Sequence, residues 1–305
     1  MPRWRWFSGH RRGVGLSAVP ELGRSMVMPR ILLAGKPIVI TGASSGIGAA
    51  TAVACAKAGM PVALAARRAD KLEAVADTIR SAGGRAVAIA CDVTDPQACI
   101  DLIDRAEQEL GPIHSVFANA GYGEKVNLLE VPDDRLREIF ETNFFGTINT
   151  IRPAAERMIE RQAGHILICS SCLAVFPMPG YSAYCATKAA QHHIGRALDV
   201  ELADLGIFTS TVHPVGTRTE LFDVMAQRTG SQPGSDKSNA LMQHPDRVAK
   251  AIVRCLRRPK PEVWTSFPAR HGMLLAAHTP RLTTFLLKRF AKPAPAQARA
   301  SSTTA

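Results

Sequence analysis

Tyr184 and Lys188 stand four positions apart in Tyr184-Cys185-Ala186-Thr187-Lys188. On a helix that spacing brings both to one face, about one turn apart. A free phenol, with a pKa of about 10, is a poor base at neutral pH. A fixed ammonium nearby favours the phenolate, and each unit of lowering is worth about 1.4 kcal/mol. The pair therefore has the makings of a general acid–base catalyst.

A second chemistry-bearing stretch lies near the start. Thr41-Gly42-Ala43-Ser44-Ser45-Gly46-Ile47-Gly48 follows a short apolar run and leads straight into an alanine-rich segment. Glycines at a strand-to-helix turn let backbone N–H groups at the helix N-terminus face a pyrophosphate, so the stretch predicts dinucleotide binding. At the end of the next apolar run, Ala65-Ala66-Arg67-Arg68 offers no acid and two arginines. An Asp or Glu there would accept from a ribose 2′-hydroxyl, whereas a guanidinium complements a 2′-phosphate. The expected cofactor is NADP(H), with Arg67 as the main determinant and Arg68 as the second.

The elements that must position these groups follow a βαβ rhythm. Strands are expected at Ile38–Thr41, Val62–Ala66, Ala86–Cys91, Ser115–Ala118, His165–Ser170 and Phe208–His213. Helices are expected at about Gly46–Ala58, Asp70–Ala82, Pro96–Leu110, Pro132–Ile159 and Ala183–Leu205. Continuous apolar strands are those of a parallel sheet buried on both faces, and right-handed crossovers then give a doubly wound, Rossmann-type α/β domain. The expected organisation is a leader over 1–33, one dinucleotide-binding and catalytic domain over 34–260, an amphipathic extension over 261–292 and a tail over 293–305.

The spacing Thr41-Gly42-x-x-x-Gly46-x-Gly48 resembles the fingerprint of the short-chain dehydrogenase/reductase family, and the resemblance runs from about Lys36 to Glu220. It implies further roles. Asp92, with Val93, matches the residue that hydrogen-bonds the adenine amino group. Asn119-Ala120-Gly121 matches the family's Asn-Ala-Gly approach to the cofactor ribose, with Ala118 where the family carries a first Asn. Ser171, thirteen residues before Tyr184, would hydrogen-bond the substrate oxygen, and Asn143 would hold a water in a proton relay to Lys188. Pro214 and Thr219 match the segment that contacts the nicotinamide carboxamide, although Val215 stands where Gly is usual. The implied reaction is hydride transfer between the cofactor and a carbonyl or alcohol carbon, with Tyr184 as proton donor or acceptor. Lys188 would perturb Tyr184 and bind the ribose. A cofactor-sensing protein that has lost turnover, or an epimerase or dehydratase on the same fold, are the alternatives.

Composition narrows the partners. The net charge of +11 is concentrated at the ends, +5 in residues 1–30 and +9 in 253–305, which leaves −3 on the body and no nucleic-acid module. The seven cysteines, with one C-x-x-C at Cys169 and Cys172, read as reduced thiols in a cytoplasmic setting, and no metal site is expected. The leader reads as disordered or as preceding a true start at Met26 or Met28. Apolar residues flank the site: Phe176, Pro177, Met178, Pro179 and Tyr181 before Tyr184, then Leu221, Phe222, Met225, Leu241 and Met242. They suit a lid over a lipophilic substrate or a packed core equally well. In the extension, Leu282, Phe285, Leu286 and Phe290 recur at helical spacing beside Lys288, Arg289 and Lys292. Such a segment serves a homo-oligomer interface, a pocket cap or peripheral contact with an anionic membrane.

Overall fold

The computed structural model describes residues 30–220, 225 and 242–290. The leader before residue 30, the lid positions Leu221, Phe222 and Leu241, and the tail after residue 290 lie outside the described residues. Strands β1 (Ile38–Thr41), β2 (Val62–Ala66), β3 (Ala86–Ala90), β4 (Ser115–Ala118), β5 (Gly164–Cys169), β6 (Ile207–His213) and β7 (Glu262–Trp264) form one sheet in the order β3-β2-β1-β4-β5-β6-β7. Every neighbouring pair is parallel. The helices are α1 (Gly46–Lys57), α2 (Ala69–Ser81), α3 (Pro96–Leu110), α4 (Asp133–Phe140), α5 (Gly146–Arg161), α6 (Ser182–Glu201), α7 (Pro245–Arg257), α8 (Phe267–His278) and α9 (Pro280–Phe290). The arrangement is the doubly wound Rossmann-type sheet that the βαβ rhythm implies.

Strand periodicity explains why both faces are apolar. Side chains alternate across a strand, so Ile38 and Ile40 join Leu64, Phe117, Leu167, Ala52 and Ile252 on the face covered by α1 and α7. Val39 points the other way, toward Ala63, Val116, Ile166, Leu102 and Ile151 under α3 and α5. Each fully buried Leu, Ile or Val contributes about 1.5–3 kcal/mol, and a polar side chain in β1 would forfeit it on whichever face it met. Helix ends are set by local chemistry. Asp95 accepts from the Gln97 N–H with Pro96 in the first turn of α3, while α7 places Asp246 in its first turn and Arg254 and Arg257 in its last.

The chain passes from β1 outward to β3 and then returns to β4 on the other side of β1. The connections leaving β1 and β4 lead to helices on opposite faces of the sheet, α1 on one and α5 on the other, and the crevice at such a switch point is where these sheets take ligands.

Three elements depart from the sequence expectation. A seventh strand, β7, lies beyond residue 260 and pairs Val263 with Val212; it has three residues and only its central one is buried, so no apolar run announces it. The helix expected over 132–159 is interrupted by a π-helical turn, Glu141–Phe145, between α4 and α5. Helix α6 ends at Glu201, and a 3-10 turn at Ala203–Leu205 then leads to Gly206, whose φ of 71° closes it. Among the described residues no helix is long and apolar enough to cross a membrane. Helices α8 and α9 leave Phe267, Leu275, Leu282, Phe285 and Leu286 exposed.

Candidate active site

The glycine-rich turn is built as a cradle. Gly46 has φ 56°, and a Cβ on it would stand 2.9 Å from Thr219 Cγ2. A Cβ on Gly48 would lie 2.3 Å from the Gly42 carbonyl oxygen, so α1 packs against the turn at a distance only glycine allows. The turn is tied to the end of β4. Asn119 Nδ2 donates to the Thr41 and Gly42 carbonyls at 3.0 and 3.3 Å, and Thr41 Oγ1 accepts from the Asn119 and Ala120 N–H groups at 3.1 and 3.2 Å. Ala118, where the family resemblance has an Asn, is buried as the last residue of β4 and pairs with Ile168. Glycines with no room for a side chain, at the N-terminus of α1, fit the pyrophosphate of a dinucleotide.

At the end of β2 the two arginines differ. Arg68 Nη2 donates to Ser44 Oγ (3.2 Å), Ser45 Oγ (3.1 Å) and Glu220 Oε2 (2.8 Å). Arg67, expected to be the main determinant, stands only 3.8 Å from Asp92 Oδ2. Lys71 Nζ donates to the other Glu220 oxygen at 2.6 Å. Held by Lys71 and Arg68, the Glu220 carboxyl is lowered to about 2. Asp92 Oδ1 accepts from the Thr94 N–H and hydroxyl, which orients its other oxygen toward Arg67. Val93 packs against Gly146 on α5. Ile47 sits in the first turn of α1, partly buried against the core. The Pro214 carbonyl accepts from the Cys172 N–H at 3.0 Å, and Thr219 reaches back over Gly46.

Ser171, Tyr184 and Lys188 converge at the carboxyl end of β5 and the first turns of α6. The Ser171 hydroxyl accepts from the Leu173 N–H at 3.1 Å and neighbours the Tyr184 phenol. Burial pushes the Tyr184 phenol above its ordinary value, and the nearby Ser171 hydroxyl opposes that only in part. The lowering expected from Lys188 therefore does not prevail here. The Lys188 ammonium lies 5.6 Å from the Tyr184 ring centroid and gives two of its protons elsewhere, to the Cys169 carbonyl and to Gln191 Oε1, both at 2.8 Å. Lys188 is itself buried, which lowers its pKa. Gly121 is the close neighbour: a Cβ there would meet Asn143 Oδ1 at 2.8 Å and Lys188 Nζ at 3.6 Å.

Asn143 is fully buried in the π-helical turn. Its side chain exchanges hydrogen bonds with the Tyr122 backbone, Oδ1 accepting at 2.9 Å and Nδ2 donating at 2.9 Å, and Nδ2 also donates to Thr187 Oγ1 at 3.0 Å. Its carbonyl accepts from Thr147 Oγ1 at 2.7 Å and Gln191 Nε2 at 2.6 Å. The Gln191 amide thus stands between this carbonyl and Lys188.

Three supporting side chains carry no motif signal. Thr187 donates to the Tyr184 carbonyl at 2.8 Å. His213 contacts the Ser171 carbonyl through Nδ1 (3.0 Å) and Thr211 Oγ1 through Nε2 (3.0 Å), and stacks on Trp264 of β7 at 4.5 Å. Burial lowers it to about 4, so the ring is neutral and Nδ1–H is the donor to Ser171. Gln191 is the third; its place three residues after Lys188, on the same helix face, was the available signal. Among the described residues no group of three or more His, Cys, Asp or Glu could hold a metal ion.

The family model for short chain dehydrogenase matches residues 36–229. The chain is 33% identical over 227 residues to the uncharacterized oxidoreductase Lin0452 of Listeria innocua, a match covering 74% of this chain and 92% of that one. Among solved structures it is similar to a short chain dehydrogenase/reductase from Burkholderia phymatum in complex with NAD (25% identity, TM-score 0.74, covering 83% of this chain and 96% of that one). It is also similar to an alcohol dehydrogenase from Thermococcus sibiricus complexed with 5-hydroxy-NADP (28% identity, TM-score 0.66, covering 75% and 95%).

Proposed function

The chain belongs to the short-chain dehydrogenase family and is an oxidoreductase of that type, and on that premise we infer that it reduces a ketone or aldehyde with NADPH, or oxidises the matching secondary alcohol. The observation that carries this reading is the convergence of Ser171 and Tyr184, with Lys188 one turn on, at the carboxyl end of β5 near the glycine cradle. When bound, the nicotinamide supplies the hydride. Tyr184 provides the proton for the substrate oxygen, and Ser171 hydrogen-bonds that same oxygen. A phenol held above its ordinary pKa enters the reaction protonated, which suits it to act as the acid in the reductive direction. Lys188 fixes a positive charge behind the phenol and faces the ribose side through Gly121.

One solved relative carries NAD and the other an NADP derivative, so the choice of NADP(H) rests on this chain's own residues. No acid ends β2, and Arg68 already bonds two hydroxyls of the cradle. Met225 is buried near Gly123 and the Tyr184 ring, which supports a lipophilic substrate. Seven thiols, six of them buried and none in a disulfide, support a reducing, cytoplasmic setting. The exposed apolar residues of α8 and α9 support self-association through these helices, with an anionic membrane surface as the alternative; light scattering and liposome sedimentation separate the two.

The test is loss of NADPH absorbance with ketones and aldehydes graded by size and polarity, repeated with NADH. Tyr184→Phe is expected to abolish turnover while NADPH still binds. Retained turnover in that variant would remove the mechanism.

A further inference from the structure

Gln191 is a fully buried amide whose oxygen and both N–H groups are engaged around the catalytic group. Its Oε1 accepts from Lys188 Nζ at 2.8 Å, and its Nε2 donates to the Asn143 carbonyl at 2.6 Å and to Thr147 Oγ1 at 2.7 Å. The orientation of the amide is fixed by its neighbours. An ammonium can only donate, so it must meet the oxygen; a main-chain carbonyl can only accept, so it must meet the NH2. Asn143 is locked in turn by Tyr122 and Thr187, and Thr147 by its bond to the Asn143 carbonyl. The π-helical turn, α5 and α6 are thus joined at one point, and that point holds the amine.

We propose that Gln191 is a positioning residue of the catalytic set: its carboxamide clamps Lys188 and closes the path from that amine to the Asn143 carbonyl with an amide in place of a mobile water. A water at this spot would rotate and pass protons between its neighbours. An amide held at both ends keeps the ammonium in one place and passes none, so proton exchange at Lys188 runs through the open, cofactor-facing side of the site. The titratable groups facing Lys188 are Tyr184 from its own helix and Cys169 from β5; Asn143 and Gly121 bring none. This inference rests on the catalytic reading of Lys188 given above.

Two variants separate positioning from packing. Gln191→Met keeps an unbranched side chain of similar length and removes the acceptor. Gln191→Ala opens room for one or two waters, each needing about 30 Å³, among polar groups that can hold them. The Lys188 ionisation is followed directly in the cofactor-free protein by NMR of lysine labelled at 13Cε, assigned with a Lys188→Arg control. A charge-assisted bond favours the ammonium, so the Met variant is expected to titrate about one pH unit or more below wild type, with the Ala variant restored part of the way by water. The basic limb of the kcat/KM profile with NADPH should move in the same order. A packing role predicts the reverse ranking, with the larger void of the Ala variant causing the larger defect. Equal titration in the Met variant and wild type, or an Ala variant no better than Met, overturns the proposal; should the Met variant fail to fold, an Ala variant whose Lys188 titrates measurably below wild type supports the clamp and one whose Lys188 does not overturns it. If NADPH turnover is absent altogether, the catalytic reading fails while the NMR titration still decides whether Gln191 holds the amine.

Discussion

On the NADP(H) reading proposed above, replacing Glu220 by Gln should tighten NADPH relative to NADH. Glu220 binds Arg68 and Lys71 from the segment after β6, so these cations must loosen from it to engage a 2′-phosphate. Both pairs are well exposed, with side-chain exposures of 48% and 38% for Arg68 and Glu220 and 51% for Lys71. An exposed pair of this kind contributes about 0.2–1 kcal/mol after screening by water and salt. At 1.4 kcal/mol per tenfold, releasing Arg68 from one such competitor tightens NADPH by up to about fivefold, and removing a negative charge near the phosphate acts in the same direction. NADH has no phosphate at this place and should change little. Arg68→Ala is the converse: losing a charge-assisted bond of about 1.5–3 kcal/mol weakens NADPH by about 10- to 100-fold. The assay is titration of nicotinamide fluorescence with both dinucleotides at low and moderate salt. Because the Glu220 carboxyl is lowered to about 2, its ion pairs are intact above the ordinary carboxylate range and are lost only as pH falls toward 2. With the 2′-phosphate, whose second pKa is about 6, fully ionised as well, the Glu220→Gln gain should be the same at pH 7.5 and pH 8.5. An unchanged NADPH affinity, or an equal gain for NADH, would refute the reasoning.

Gly48→Ala forces a methyl against the Gly42 carbonyl and should cost about 1–3 kcal/mol of stability, with a melting temperature several degrees lower and at least tenfold weaker dinucleotide binding; a variant unaltered in both would show that the turn yields freely. His165 and His213 are held neutral by burial, lowered to about 3 and about 4. An unfolded chain takes up protons at these histidines below about pH 6.5, so stability present at pH 8 is lost as pH falls from there toward 4. The loss should be about 2 kcal/mol for each histidine at pH 5. Urea unfolding at pH 8, 6 and 5 checks it, and a midpoint that stays level over that range contradicts it.

Much of the sheet was legible because β1, β2, β4 and most of β5 are apolar runs bounded by turn residues, and a strand buried on both faces leaves that mark in composition. The mark fails for β7, whose Glu262 and Trp264 are polar or amphipathic and whose place beside β6 depends on α7 turning the chain back. In the site, Tyr184, Lys188 and the glycines were visible because their spacing is itself the geometry. Gln191 was not, since a Gln on a helix ordinarily faces water, and its burial follows only from the packing of α6 on the π-helical turn. The different partners of Arg67 and Arg68 were likewise out of reach. Adjacent residues at a strand end point in different directions, and Glu220, which bonds Arg68, arrives from about 150 positions away in the chain.

The wide turn at Glu141–Phe145 also sets a rotational phase. A residue added to an α-helix advances its faces by about 100°, so a five-residue repeat between α4 and α5 lets two stretches that share an axis present stripes that would otherwise be out of step. Deleting one residue there would restore a regular spiral and swing the α4 stripe away from its neighbours, or else carry Asn143 off the Tyr122 backbone. Asn143 apart, that short span should therefore tolerate changes of side chain far more readily than any change of length.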